Sequence, residues 1–92
     1  MQTRNLIDGQ WISSDDGALM PVFDPADDSL VAHVPACGRD EAVRAVSAAA
    51  GSFDPFQSMD PAGRITLLRA ISDLMSQRKD ALAVLLTREQ GK

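Results

Sequence analysis

Cysteine and histidine occur once each in this 92-residue chain, as Cys37 and His33, and both scarcities narrow the chemistry open to it. A single thiol excludes an internal disulfide and suits a reducing, cytoplasmic setting. A lone histidine lacks the partners that metal binding or base work requires. No stretch approaches the roughly 18 apolar residues of a membrane-spanning helix, so no membrane partner is expected. The polar start, Met1-Gln2-Thr3-Arg4-Asn5, leads into only a short apolar run and does not read as a signal peptide. Basic residues form no run and the net charge is −4, which makes nucleic acid a poor partner. The six glycines include no Gly-x-Gly-x-x-Gly or similar phosphate-cradling turn. What is present is globular material, 45% hydrophobic and 24% charged. That lies well clear of disordered composition. So short a chain buries only a modest fraction of its surface.

The first third reads as strands and turns. Leu6-Ile7 and Trp11-Ile12 flank Asp8-Gly9, a strong hairpin signal, because the tight turn needs positive φ that glycine adopts freely and aspartate tolerates. Ser13-Ser14-Asp15-Asp16-Gly17 reads as a polar loop. Val22-Phe23-Asp24 reads as a short strand ended by Pro25, which cannot donate to a ladder. Pro25-Ala26-Asp27-Asp28-Ser29 is turn chemistry. Leu30, Ala32 and Val34 alternate with Val31 and His33, the period of a strand, and Pro35 closes it.

The remainder reads as three helices. Gly38-Arg39 opens the first, with Asp40 and Glu41 in its first turn where the helix dipole favours negative charge. Ala42, Val43, Val46, Ala49, Ala50 and Phe53 share one face. Ala45 and Ala48, with Ala49, leave the rest of that helix thin enough for close backbone approach. Asp54-Pro55 is expected to stop it. Asp60-Pro61 restarts the chain with an N-cap and a proline at the first helical position. Leu67, Leu68, Ile71, Leu74 and Met75 then form an apolar stripe. Asp80 is a candidate cap for a third helix that Gly91-Lys92 ends. With no internal repeat and no linker, residues 1–92 read as one compact unit. Leu82, Val84, Leu85 and Leu86 point in several directions around the last helix, more than one face can bury. Self-association of the chain is therefore expected.

Several of these segments, in this order, resemble the N-terminal segment of the aldehyde dehydrogenase superfamily. Leu6-Ile7-Asp8-Gly9-Gln10-Trp11-Ile12 is similar to its opening hairpin. Val22-Phe23-Asp24-Pro25-Ala26 is similar to its Val-x-Asn-Pro-Ala turn, with Asp24 in the place of asparagine. Val31-Ala32-His33-Val34-Pro35, followed by Asp40-Glu41-Ala42-Val43-Arg44-Ala45-Val46, resembles the family's strand and alanine-rich helix. Arg64-Ile65-Thr66-Leu67-Leu68 resembles the start of the next helix. Phe56 and Arg88 stand where tryptophan and leucine are common. Leu86-Thr87-Arg88-Glu89-Gln90-Gly91-Lys92 is most like the succinate-semialdehyde branch.

The resemblance implies an α+β segment, short hairpin strands and then three helices, belonging to the α/β coenzyme-binding domain of a much longer enzyme. Its implied parent chemistry is thiolate attack on an aldehyde, hydride transfer to NAD or NADP, and hydrolysis of the thioester by glutamate-activated water. None of those catalytic or cofactor-binding parts falls on a residue of this chain, which alone is expected to be inactive and to bind no nucleotide. By the motif match, a monovalent cation in the family would meet the backbone carbonyls of Val22 and Phe23, with the rest of its shell supplied from elsewhere. The implied partners are the remainder of the dehydrogenase chain and further copies in a homo-oligomer. The alternatives are a free-standing α+β interaction module without enzymatic activity, and a small helical binding domain of unrelated origin.

The other candidates inside the chain read more simply. Cys37, at a strand-to-helix turn, reads as an inert thiol rather than a nucleophile. His33 reads as a solvent-facing strand residue. Asp15-Asp16 and Asp27-Asp28 lack the spacing of a calcium loop and read as solvated turns. Arg64 and Arg69 read as members of surface or intrahelical ion pairs. Trp11 reads as a packing anchor whose indole N–H meets a carbonyl.

Overall fold

Asp8 (φ 52°) and Gly9 (φ 73°) both take positive φ, so the first turn is the tight, primed kind that suits a two-residue hairpin. In the computed structural model, which describes residues 1–92, this turn joins β1 (Asn5–Ile7) to β2 (Gln10–Ile12), with Leu6 opposite Trp11. A second antiparallel pair follows, β3 (Leu19–Phe23) with β4 (Leu30–Pro35). Strand β3 begins three residues before the expected Val22 and contains Pro21, opposite His33. In a two-stranded ribbon every strand is an edge, and proline's missing N–H is tolerated there. Val22 pairs with Ala32 and Phe23 with Leu30, so the register slips between them and Val31 has no counterpart. At the turn, Asp24 Oδ1 accepts from Ala26 N at 2.8 Å and Asp27 Oδ1 accepts from Ser29 N at 3.0 Å. Either oxygen does what an asparagine carbonyl would do, which is why Asp24 fits the motif position.

Three helices follow: α1 (Arg39–Ser58), α2 (Pro61–Gln77) and α3 (Lys79–Gln90). Asp54-Pro55 does not end the first, because Pro55 lies inside α1. Its ring removes the bond to the Gly51 carbonyl, but Gly51 is exposed and water can take that place. Helix α2 starts as expected, with Asp60 Oδ1 accepting from Gly63 N at 2.8 Å and Pro61 at the first position. Asp80 does not cap α3. Arg78 N–H already bonds Leu74 O (3.1 Å) and Met75 O (3.2 Å), and Arg78 O accepts from Leu82 N at 3.0 Å. The ladder of α2 thus passes to α3 across one residue, leaving no loop for a separate cap, and Asp80 sits in the first turn instead. Gly91 ends α3 in the left-handed conformation (φ 71°) as expected.

One compact unit is not what these elements make. The Cα extents are 47 × 34 × 16 Å and the radius of gyration is 16.5 Å, against about 12 Å for a compact chain of this length. No apolar side chain is fully buried; the only buried residues are Ser14, Pro35 and Glu41. Helix α1 packs on β1 through its thin side, where Ala45 and Ala48 are half-buried. Its apolar stripe points the other way: Val43 is 54% exposed, Val46 69% and Phe53 64%. The stripe of α2 is likewise open along its whole length.

Candidate functional site

The best-formed polar cluster joins the Ser13–Gly17 loop to the start of α1. Gly38, the N-cap, has no side chain to offer, so Glu41 supplies the closure by reaching back to accept from Gly38 N–H. The same carboxylate accepts from Asp15 N at 3.2 Å, and Glu41 is only 6% exposed. Ser14, 7% exposed, donates its hydroxyl to Ala18 O at 2.6 Å. Asp15 in turn pairs with Arg44 one turn along α1, at 2.8 Å. The Arg44 guanidinium holds the Asp15 carboxyl below its usual value, helped by Glu41, and Asp15 raises Arg44 in return. The sequence pointed to Glu41 as a charge for the helix dipole and to Asp15 as a solvated turn residue. The available signal was a glutamate three residues after an N-cap. Both Glu41 carboxylate oxygens and Asp15 Oδ1 are committed to internal donors, so the cluster serves as a clasp.

The candidate nucleophile and base stay apart from any constellation. Cys37 is exposed, and its Sγ accepts only from Asn5 Nδ2 at 3.2 Å. His33 is exposed on β4, as expected. No three His, Cys, Asp or Glu side chains converge to hold a metal ion. Val22 and Phe23 form the last two residues of β3, at the register slip and beside the Asp24 turn. Two expectations are corrected. Arg64 and Arg69 enter no ion pair; Arg44–Asp15 is the sole one in the structure. Trp11 is 48% exposed and its indole N–H meets no acceptor in the chain, because nothing packs over that side of the hairpin.

Two further features join distant parts of the chain. An open groove of about 650 Å³ runs between the first hairpin and α1, with Ile7 and Ile12 on one wall and Ala48 and Gly51 on the other. At the far end, α3 returns to the β3–β4 turn. A Cβ on Gly91 would lie 2.9 Å from Ala26 N and 3.0 Å from Pro25 Cγ. Gly91 is therefore needed twice, for its positive φ and for its missing side chain. Arg88, one turn earlier, adds its positive charge to the Ser29 hydroxyl and N–H that hold Asp27 below the usual carboxylate value.

The strands, turns and helices match known proteins along nearly the whole chain. The sequence profile of the aldehyde dehydrogenase family matches residues 11–92. This chain belongs to the aldehyde dehydrogenase family. It is 39% identical over 89 residues to succinate semialdehyde dehydrogenase of Acinetobacter baylyi, covering 97% of this chain and 18% of that protein. It is also 39% identical over 92 residues to 3-sulfolactaldehyde dehydrogenase of Pseudomonas putida, covering 100% and 19%. A crystal structure of an E. coli NADP-dependent enzyme superposes with a TM-score of 0.91 at 34% identity, over 99% of this chain and 19% of that one. The chain thus spans under a fifth of the length of these relatives and corresponds to an N-terminal segment of family members.

Proposed function

We propose that residues 1–92 form the N-terminal scaffold of the coenzyme-binding domain of an NAD(P)-dependent aldehyde dehydrogenase. The reaction oxidises an aldehyde to a carboxylate with hydride transfer to NAD or NADP, and the nucleophile, base and dinucleotide turn lie outside this chain. The observation that carries the reading is conformational. Nearly all of the chain superposes on one segment of a protein about five times longer, while its own apolar stripes lie open. Succinate semialdehyde and 3-sulfolactaldehyde each carry an anionic group besides the aldehyde. Relatives of equal identity acting on the two favour a small anionic aldehyde as substrate class. Homo-oligomeric assembly and a cytoplasmic setting belong to the same proposal.

The test joins this chain to the remaining four fifths of the Acinetobacter baylyi enzyme. NAD(P) reduction by succinate semialdehyde in the fusion is expected; a folded fusion without it removes the reading. We assign a monovalent cation, within the same proposal, to the Val22 and Phe23 carbonyls. The support is the motif match at Val22-Phe23-Asp24-Pro25-Ala26 and the place of Val22 and Phe23 at the end of β3, beside the Asp24 turn. Exchanging potassium for a bulky organic cation should lower the fusion's melting temperature, and an unchanged temperature rejects the assignment.

A further inference from the structure

We infer that Asp8-Gly9, at the tip of the first hairpin, is a site of spontaneous isoaspartate formation in the folded protein, and that the second Asp-Gly pair, Asp16-Gly17, is held back by its own hydrogen bonds. An aspartyl-glycine bond rearranges when the glycine main-chain nitrogen attacks Cγ of the protonated aspartyl carboxyl. The new C–N bond closes a five-membered succinimide as the Cγ–O bond breaks and one water leaves. Water then adds at the main-chain carbonyl of the aspartate and breaks its bond to the glycine nitrogen. The product keeps the chain joined through Cγ, with the former main-chain carbonyl now a free carboxylate. One water is lost and one regained, so neither an oxidant nor a further reactant is needed. The step asks for an attacking residue without a side chain, a nitrogen free to attack and a carboxyl free to be attacked.

The chain holds two such pairs, and exposure does not separate them, since all four residues are exposed. Both glycines also have open space where a side chain would be. Hydrogen bonding does separate them. Gly17 N donates to Ser14 O at 3.1 Å and Asp16 Oδ1 accepts from Ala18 N at 2.9 Å, so both reacting groups are already engaged. Their loop is fixed further by Ser14 Oγ on Ala18 O and by Asp15 N on Glu41. At the hairpin tip, the Asp8 carboxylate meets no donor and no turn bond uses Gly9 N. Asp8 stands at φ 52°, where an L side chain is disfavoured, so its own backbone does not resist leaving the turn. Only the pairs Asn5–Ile12, Leu6–Trp11 and Ile7–Gln10 hold the tip closed, and a two-stranded hairpin is marginal by itself. The consequence is geometric. Isoaspartate carries Cβ in the main chain, one atom more than the two-residue turn holds, and turn type and loop length set hairpin register. The pairing of Leu6 with Trp11 and the seat of β1 on α1 change with it.

Ageing the fusion protein in heavy-oxygen water at neutral pH tests this. Chymotryptic digestion in ordinary water, cutting after Trp11, then places the two Asp-Gly pairs on different peptides. Each succinimide hydrolysed takes up one heavy oxygen atom, and enzymatic carboxyl methylation counts the isoaspartate. In the folded protein Asp8 should convert at least about fivefold faster than Asp16, the factor set by two hydrogen bonds that must open first. In concentrated urea the two should convert at similar rates. Equal rates in the folded protein, faster conversion at Asp16, or an unlabelled Asp8 peptide overturn the inference. A preference for Asp8 that persists undiminished in urea removes the role given to the hydrogen bonds. Asp8→Glu, whose ring would need a sixth member, should leave the hairpin peptide unlabelled, and label that persists there rejects Asp8 as the site. Amide exchange at Ile7 and Gln10 should accelerate as isoaspartate accumulates, and unchanged exchange rejects the loss of register.

Discussion

Replacing Glu41 by alanine should loosen two amides that lie 23 residues apart in sequence, Asp15 and Gly38. Both donate to its carboxylate, and the site is nearly closed to water, with Glu41 6% exposed. Leaving a largely buried donor unpaired costs about 1–3 kcal/mol. Each amide's local opening should therefore become about 5- to 150-fold more frequent. The low end applies if water enters the space the side chain leaves. Glu41→Gln separates the two bonds, because Oε1 accepts from Asp15 and Oε2 from Gly38. Its single carbonyl oxygen can keep one of them, so only one amide should accelerate strongly. Amide exchange on the fusion protein, where the segment is expected to be ordered, reads both positions directly. If Glu41→Ala leaves both unchanged, or Glu41→Gln disrupts both as fully as alanine, the clasp is not what joins the loop to α1.

Asp15 should titrate below the usual 3.8 because Arg44 favours its charged form. A carboxyl depressed on folding adds stability above its unfolded value and loses it as pH falls through the folded value. The Asp15–Arg44 pair should therefore persist at neutral pH and open only in acid below 3.8. A carbon-detected titration should place the midpoint there, and Arg44→Ala should raise it. Gly91→Ala combines an unfavourable positive φ with a Cβ 2.9 Å from the Ala26 nitrogen. A cost above about 1 kcal/mol is expected, read as faster exchange of the Gly91 amide that now bonds Thr87 O at 2.8 Å. The isolated chain should reduce neither NAD nor NADP with succinate semialdehyde. Reduction that vanishes in Cys37→Ser would reverse the reading of that thiol as inert.

Local structure was readable wherever one or two residues dictate the backbone. Asp8-Gly9, Asp60-Pro61 and Gly91 all behave as their φ preferences and capping chemistry require. Errors arose where solvent or a neighbouring segment changed the outcome. Pro55 stayed inside α1 because the carbonyl it orphans is open to water. Asp80 lost its capping role because the α2 ladder leads straight into α3. The clasp was half readable: a glutamate at the third helical position announces a bond back to the cap. Nothing in the spacing of Asp15 and Glu41, however, says that a loop 26 residues earlier supplies the second donor.

The apolar stripes hold the deeper lesson about reading function from pattern. Helical periodicity shows correctly that Val43, Val46 and Phe53 share a face, but periodicity only says that a face wants cover. On α1 the local partner instead took the alanine side, where small residues let the hairpin approach. An element can have two packing faces, and on α1 the scaffold reading leaves the larger apolar one for cover from outside these residues. That is why amphipathic helices here coexist with no fully buried apolar side chain, and why the absence of a repeat or linker suggested a compact unit. If the reasoning holds, substitutions on the alanine side, such as Ala48→Leu, should disturb the hairpin contact. Those on the outward side, such as Val46→Asp, should leave the hairpin contact intact and disturb only packing against the rest of the fusion. Amide exchange of Ile7 and of α1 in the fusion separates the two, and a variant pair with identical exchange patterns would refute a division of labour between the faces.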